Sequence, residues 1–148
     1  MRSIQKVVVL GGNGVMGAAS GAMFAAAGVP TVLLARTADK AAAGIARANQ
    51  LTKGAIAPGM LAAGTYADDL ALALDGADLV LEAVAEDLAT KRGVFALVDQ
   101  MRDRDALVAT ITSGLSIAEL CDGYSPSFKA HFLGIHLFNP PTAISGCE

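Results

Sequence analysis

Lys6-Val7-Val8-Val9-Leu10-Gly11-Gly12-Asn13-Gly14-Val15-Met16-Gly17 runs from a β-branched segment into a glycine-rich turn, and the small residues from Ala18 to Ala27 continue it as a helix closed by Gly28. Val7 to Leu10 are apolar at every position, as a strand must be when helices cover both faces of a parallel sheet. Gly12 is expected to permit the tight turn. Gly14 leaves no Cβ between backbone and a pyrophosphate, and Gly17 lets the helix pack closely on the strand. The free N–H groups of the helix's first turn, near Val15 and Met16, then face the phosphates. Gly12, Asn13, Gly14, Val15, Met16 and Gly17 are therefore the expected dinucleotide grip, against a purely structural turn and, within the functional reading, a flavin site.

Strand, turn and helix in this order predict an α/β domain of the doubly wound Rossmann type, with a mostly parallel sheet and helices on both faces. The 148 residues suffice for one such domain but not for two full ones. The apolar fraction is 53% without a long uncharged apolar run, so no membrane span is expected. The Met1-Arg2-Ser3 start lacks a signal-peptide pattern, and the cytoplasm is the expected location. Net charge is −3 with mixed signs, which argues against a nucleic-acid partner. Cys121 and Cys147 lack metal-ligand or CxxC spacing and read as free thiols, while His131 and His136 are too few for a zinc site. No metal is expected.

Thr31 to Ala35 read as the second strand, and Thr37 as the N-cap of the alanine-rich helix that follows. The end of this strand borders the adenosine ribose in a Rossmann unit, where a carboxylate normally accepts from the 2′-hydroxyl. Here stand Ala35 and Arg36. Without the carboxylate a 2′-phosphate meets no repulsion, and Arg36 can bind it, so the expected cofactor is NAD(P), with NADP slightly favoured over NAD. Two alternatives stay open: Arg36 as a solvated charge, and Asp39 restoring NAD if the strand ends later.

Lys53 to Gly64 read as a loop, Thr65-Tyr66 as a brief strand, and Asp68 to Asp75 as a helix whose two leading aspartates favour the dipole. Asp78 to Val84 form the next strand. Asp87 to Arg102 follow as an amphipathic helix burying Leu88, Val94, Phe95, Leu97, Val98 and Met101. Ala106 to Thr112 are a strand, and Ser116 with Glu119 fits a capping box. Phe132 to Phe138 form a last strand, running into Asn139-Pro140-Pro141. His131 and His136 then point to opposite faces of it, His131 being structural.

The stretches Gly12 to Gly17, Glu82-Ala83-Val84-Ala85-Glu86, Thr112-Ser113-Gly114-Leu115-Ser116-Ile117 and Gly134-Ile135-His136-Leu137-Phe138-Asn139-Pro140 together resemble the NAD(P)-binding domain of the L-3-hydroxyacyl-CoA dehydrogenase family. The resemblance runs nearly end to end. It implies that His136 is the catalytic histidine and Glu148 its carboxylate partner. It also implies that Ser113 bonds the reacting substrate oxygen, and that Glu86 and Lys91 line the cofactor or substrate site. Histidine titrates near neutrality and suits that proton transfer. The bland readings are Ser113 starting a helix and Lys91 as a solvated charge. Ile111 and Gly114 depart from the family's usual asparagine and serine. The resemblance further implies an acyl-CoA substrate, and a helical second domain beyond residue 148 through which the full-length form is a homodimer. Another 3-hydroxyacid-type dehydrogenase and a non-catalytic nucleotide-binding module are the competing functions.

Overall fold

The computed structural model describes residues 3–141, 143 and 147–148. Met1 and Arg2, where the leader reading begins, lie outside them. Six strands form one parallel sheet in the order β3-β2-β1-β4-β5-β6. Along the chain these are β1 (Val7–Leu10), α1 (Val15–Ala26), β2 (Thr31–Ala35), α2 (Ala38–Leu51), β3 (Leu61–Thr65) and α3 (Tyr66–Leu74). β4 (Leu79–Glu82), α4 (Leu88–Met101), β5 (Leu107–Thr110), α5 (Ile117–Cys121), α6 (Pro126–Ala130) and β6 (Phe132–Gly134) complete it. The chain starts mid-sheet, winds outward through β2 to β3, and crosses back past β1 to β4. This is the expected doubly wound Rossmann-type arrangement.

All four residues of β1 have zero exposure, yet their side chains divide by alternation. Val8 and Leu10 join a core with Leu70, Leu74, Phe95, Val98 and Phe128, contributed by α3, α4 and α6. Val7 and Val9 join the opposite core, with Ala22 of α1 and Ala48 of α2. Because helices following β1 and β4 go to opposite faces, a crevice opens where these neighbouring strands end, at the paired residues Leu10 and Glu82.

The turn after β1 differs in detail from the sequence reading. Gly11, not Gly12, takes the left-handed conformation, with φ of +80°. Gly12 is required for a steric reason, since a Cβ there would lie 2.6 Å from Leu33 Cβ. Gly17 faces the turn itself rather than the strand: its Cβ would stand 2.2 Å from the Gly11 carbonyl oxygen. The turn is thus built on Gly11, which bends the chain, and on Gly12 and Gly17, which have no room for a side chain.

Two element boundaries move for tertiary reasons. β3 begins at Leu61, inside the stretch read as loop, because pairing with β2 makes a strand of Leu61-Ala62-Ala63-Gly64 despite its weak β propensity. β6 stops at Gly134, short of the expected Phe138, because its partner β5 ends at Thr110, whose carbonyl takes a last bond from Ile135 N–H at 2.9 Å. His136 therefore lies beyond the sheet, and alternation does not set its direction. His131 caps α6 instead, with Nδ1 2.9 Å from the Ser127 carbonyl oxygen. On α4, Leu97 and Met101 are exposed and Lys91 takes a buried place beside Phe95 and Val98.

Thr37 caps α2, Ser116 caps α5, and Asp68 and Asp69 stand in the first turn of α3 as expected. Among the described residues no helix is long and apolar enough to cross a membrane, and no group of three or more His, Cys, Asp or Glu side chains could hold a metal.

Gly17→Ala drives a methyl into a backbone carbonyl that has nowhere to go, whereas the methyl of Gly21→Ala meets the movable end of the Leu33 side chain. Urea unfolding should show a loss of about 2–3 kcal/mol for the first and a smaller loss for the second.

Candidate functional site

α1 is unlike the other helices. Thr37, Thr65, Asp87, Ser116 and Ser125 each accept a bond from their own helix's first turn, but α1 starts at Gly14 with no side-chain cap and no acidic residue in that turn. Its N–H donors and the positive end of its dipole are left for an external anion. Gly11 and Gly12 donate to the Leu34 carbonyl at 3.1 and 2.9 Å, which anchors the turn to β2.

Beside the turn lies a cleft of about 400 Å³ whose lining includes Gly11, Asn13, Gly14, Arg36, Tyr66 and Val84. Asn13, Gly14 and Arg36 thus meet at one cavity. Gly12 and Gly17 are buried behind it, and the Val15 side chain is exposed. β2 ends at Ala35, so Arg36 is the first residue past the strand and Asp39 lies within α2. A glycine-lined turn, an uncapped helix and an arginine at one cleft fit the phosphates and adenosine of a dinucleotide.

The second half of the site is a polar chain at the carboxyl ends of β4, β5 and β6. Glu82 ends β4 with zero exposure, and its carboxylate is fully satisfied. Oε1 accepts from Lys91 Nζ at 2.6 Å and Val84 N–H at 2.7 Å, and Oε2 accepts from the Thr110 hydroxyl at 2.6 Å. Lys91, 1% exposed, contacts Glu86 Oε2 at 3.2 Å and the Val84 carbonyl at 3.4 Å as well. Those contacts occupy the ammonium's three protons. Lys91 is neither a solvated charge nor a free donor lining the cleft, because burial obliges it to pair. It reaches the site through Glu86.

Glu86 Oε1 accepts from the Thr112 hydroxyl, from Ser113 N–H at 3.0 Å and from Gly114 N–H at 3.1 Å. The turn after β5 is thereby tied to the loop after β4. Ser113 Oγ in turn lies 3.1 Å from His136 Nε2, so the serine and histidine named from sequence are in direct contact. Glu148 comes beside His136 through its backbone: His136 N–H donates to the Glu148 carbonyl at 2.7 Å, and Glu148 N–H returns a bond at 3.0 Å. Residues paired in this antiparallel manner project their side chains to the same face. Among the described residues, the imidazole's hydrogen bond is to Ser113 rather than to the Glu148 carboxylate.

Sequence reasoning missed Gly11, Tyr66, Thr110 and Glu82 as site residues. Glu82 carried a usable signal, since a carboxylate in an otherwise apolar parallel strand must be paired when buried. Tyr66 carried none, because its reach to Gly11 depends on how β3 and α3 are set against β1.

Burial pushes the Glu86 carboxyl pKa up, but the Thr112 hydroxyl, Gly114 N–H and Lys91 outweigh it and hold the group at about 2, below the ordinary 4.5. The stability contributed by ionised Glu86 is complete above about pH 4.5 and is lost as pH falls to about 2. Urea titrations of wild type and Glu86→Gln should therefore differ most at neutral pH and converge across that window. A difference independent of pH would refute it.

Residues 6–148 match the family described as "3-hydroxyacyl-CoA dehydrogenase, NAD binding domain". A probable 3-hydroxyacyl-CoA dehydrogenase of Bacillus subtilis is 35% identical over 94% of this chain and 20% of its own length. A 5-formyl-3-hydroxy-2-methylpyridine 4-carboxylate 5-dehydrogenase of Mesorhizobium japonicum is 32% identical over 98% of this chain and 48% of its own. The crystal structure of 3-hydroxybutyryl-CoA dehydrogenase from Escherichia coli superimposes with a TM-score of 0.79 at 28% identity, covering 97% of this chain and 31% of that one. The chain spans between a fifth and a half of the length of these relatives. With a match over almost its whole length, the chain belongs to the NAD-binding-domain family of the 3-hydroxyacyl-CoA dehydrogenases.

Proposed function

We propose that this chain is the nucleotide-binding part of an oxidoreductase that moves a hydride between the 3-hydroxyl carbon of an acyl-CoA thioester and NAD(P). The observation that carries the reading is the 3.1 Å contact between Ser113 Oγ and His136 Nε2, beside the uncapped turn of α1. The nicotinamide, when bound, supplies the hydride acceptor or donor. His136 takes the proton from the substrate's hydroxyl as that carbon is oxidised, and returns it in the reverse direction. Ser113 Oγ donates to the same oxygen and orients it. Glu86 holds Ser113 through its backbone N–H, and Lys91 acts through Glu86. Glu148, paired beside His136, stabilises the imidazolium that forms.

Arg36 supports a preference for NADP, because β2 ends at Ala35 and the position beside the adenosine ribose carries a guanidinium instead of a carboxylate. Two unpaired thiols, Cys121 and Cys147, support a reducing, cytoplasmic setting. The greater length of the relatives supports a second domain in the whole protein, and the family resemblance implies that this domain completes the acyl-CoA cleft and forms a homodimer.

A second reading, oxidation of a hydroxylated carboxylic acid without coenzyme A, is favoured by the Mesorhizobium relative, whose name specifies a pyridine carboxylate. Nicotinamide fluorescence, titrated with NADPH and NADH in the presence of acetoacetyl-CoA or free acetoacetate, separates the two. Oxidation with the thioester alone supports the first, and oxidation with the free acid alone supports the second. His136→Ala should lower turnover by about 10²–10⁴-fold. Arg36→Asp should shift relative affinity from NADPH toward NADH, and an unchanged ratio would remove Arg36 from the 2′-phosphate site.

A further inference from the structure

Tyr66 opens α3, and its hydroxyl accepts a hydrogen bond from the Gly11 N–H at 2.7 Å, across 55 residues of sequence. Gly11 N–H also reaches the Leu34 carbonyl at 3.1 Å, so the turn does not depend on the phenol for its only partner. The ring packs against the core beneath β1 and β4, which a phenylalanine would do equally well. Tyr66 nevertheless lines the cleft with Gly11, Asn13, Gly14 and Arg36, and its hydroxyl is the part that meets Gly11 of that lining. A phenol accepts and donates. Its acceptor side is engaged by Gly11, and among the described residues no protein acceptor takes its proton.

Burial pushes the phenol pKa above 10, Glu82 adds to the rise, and the Gly11 N–H and Arg36 oppose it without cancelling it. The group therefore remains a donor throughout the physiological range. Of the other polar side chains lining this cleft, the Arg36 guanidinium is a donor only, Asn13 and Thr90 can donate or accept, and the uncapped helix α1 starts at Gly14 in the same lining. A half-buried O–H whose lone pair is already engaged, beside a guanidinium and glycine backbone, calls for an oxygen acceptor on the ligand.

We propose that Tyr66 is a dinucleotide-binding residue, whose O–H donates to an oxygen of the ADP-ribose moiety common to NADH and NADPH while its lone pair holds the Gly11 N–H. This rests on the dinucleotide reading of the cleft. Tyr66 then joins the phosphate turn to the far edge of the sheet: the residue that fastens Gly11 is the one that meets the ligand lying on it.

The test is calorimetric titration of the whole chain with NADH, NADPH and ADP-ribose. Tyr66→Phe should weaken all three by about five- to tenfold, the loss of one hydrogen bond to the ligand. Replacing Tyr66 with 4-aminophenylalanine, which keeps a donor but is a poor acceptor, should restore affinity to within about twofold of wild type. Unchanged affinity in Tyr66→Phe overturns the proposal. So does failure of the amino variant to rescue, which would reduce Tyr66 to a structural acceptor for Gly11. A loss confined to NADPH also overturns it, since the contact would then be to the 2′-phosphate. If the wild-type chain binds none of the three ligands, the cofactor reading fails first and this proposal with it, an outcome distinct from loss in the variant alone.

Discussion

A buried ion pair organises the carboxyl end of the sheet. Glu82 and Lys91 meet at 2.6 Å with almost no solvent exposure, and each would be costly to bury alone. Val84 N–H and the Thr110 hydroxyl satisfy the rest of the carboxylate, while Glu86 and the Val84 carbonyl satisfy the ammonium. Removing one partner of such a pair typically costs about 3–5 kcal/mol, because the other charge is stranded. The pair therefore specifies one relative position for β4, the start of α4 and the end of β5. That fixed position sets Glu86, which holds the turn carrying Ser113, which touches His136.

The rest of the site hangs on a second constraint, the absence of side chains at the turn after β1. Three close approaches, Gly12 to Leu33, Gly17 to Gly11 and Gly44 to the Gly12 carbonyl, hold that turn against β2, α1 and α2 with no space for a Cβ. The result is rigid backbone with unclaimed N–H groups, facing the cleft between β1 and β4. The cleft beside this turn is lined by Gly14 and Arg36, and the polar chain beyond β4 and β5 brings a serine and a histidine into contact.

Some site residues were legible as residue types in order. Gly14, Arg36, Ser113 and His136 could be named because a glycine turn, a strand end and a histidine motif are local patterns; the structure puts Gly14 and Arg36 on one cleft and Ser113 against His136. Lys91 was legible as a position but not as an environment. A lysine on an amphipathic helix reads as solvated, and only its packing against β4 turns it into the centre of an ion-pair cluster. Leu97 and Met101 failed in the opposite sense, as apolar residues on the same helix that packing left exposed.

The sequence by itself determined most of the strands and helices, the doubly wound class and the glycine turn after β1, because these follow from short-range chemistry. Apolar runs mark strands covered on both faces, glycines mark backbone that must approach backbone, and Thr37 and Ser116 mark helix starts. Only the tertiary structure decided that β3 exists in an alanine-rich stretch, that β6 ends at Gly134, and that Gly11 rather than Gly12 bends the chain. It alone joined Tyr66 to Gly11 and Glu82 to Lys91 and Thr110. Strand pairing, close approach and burial of charge are relations between distant segments, and their energies do not exist until those segments meet.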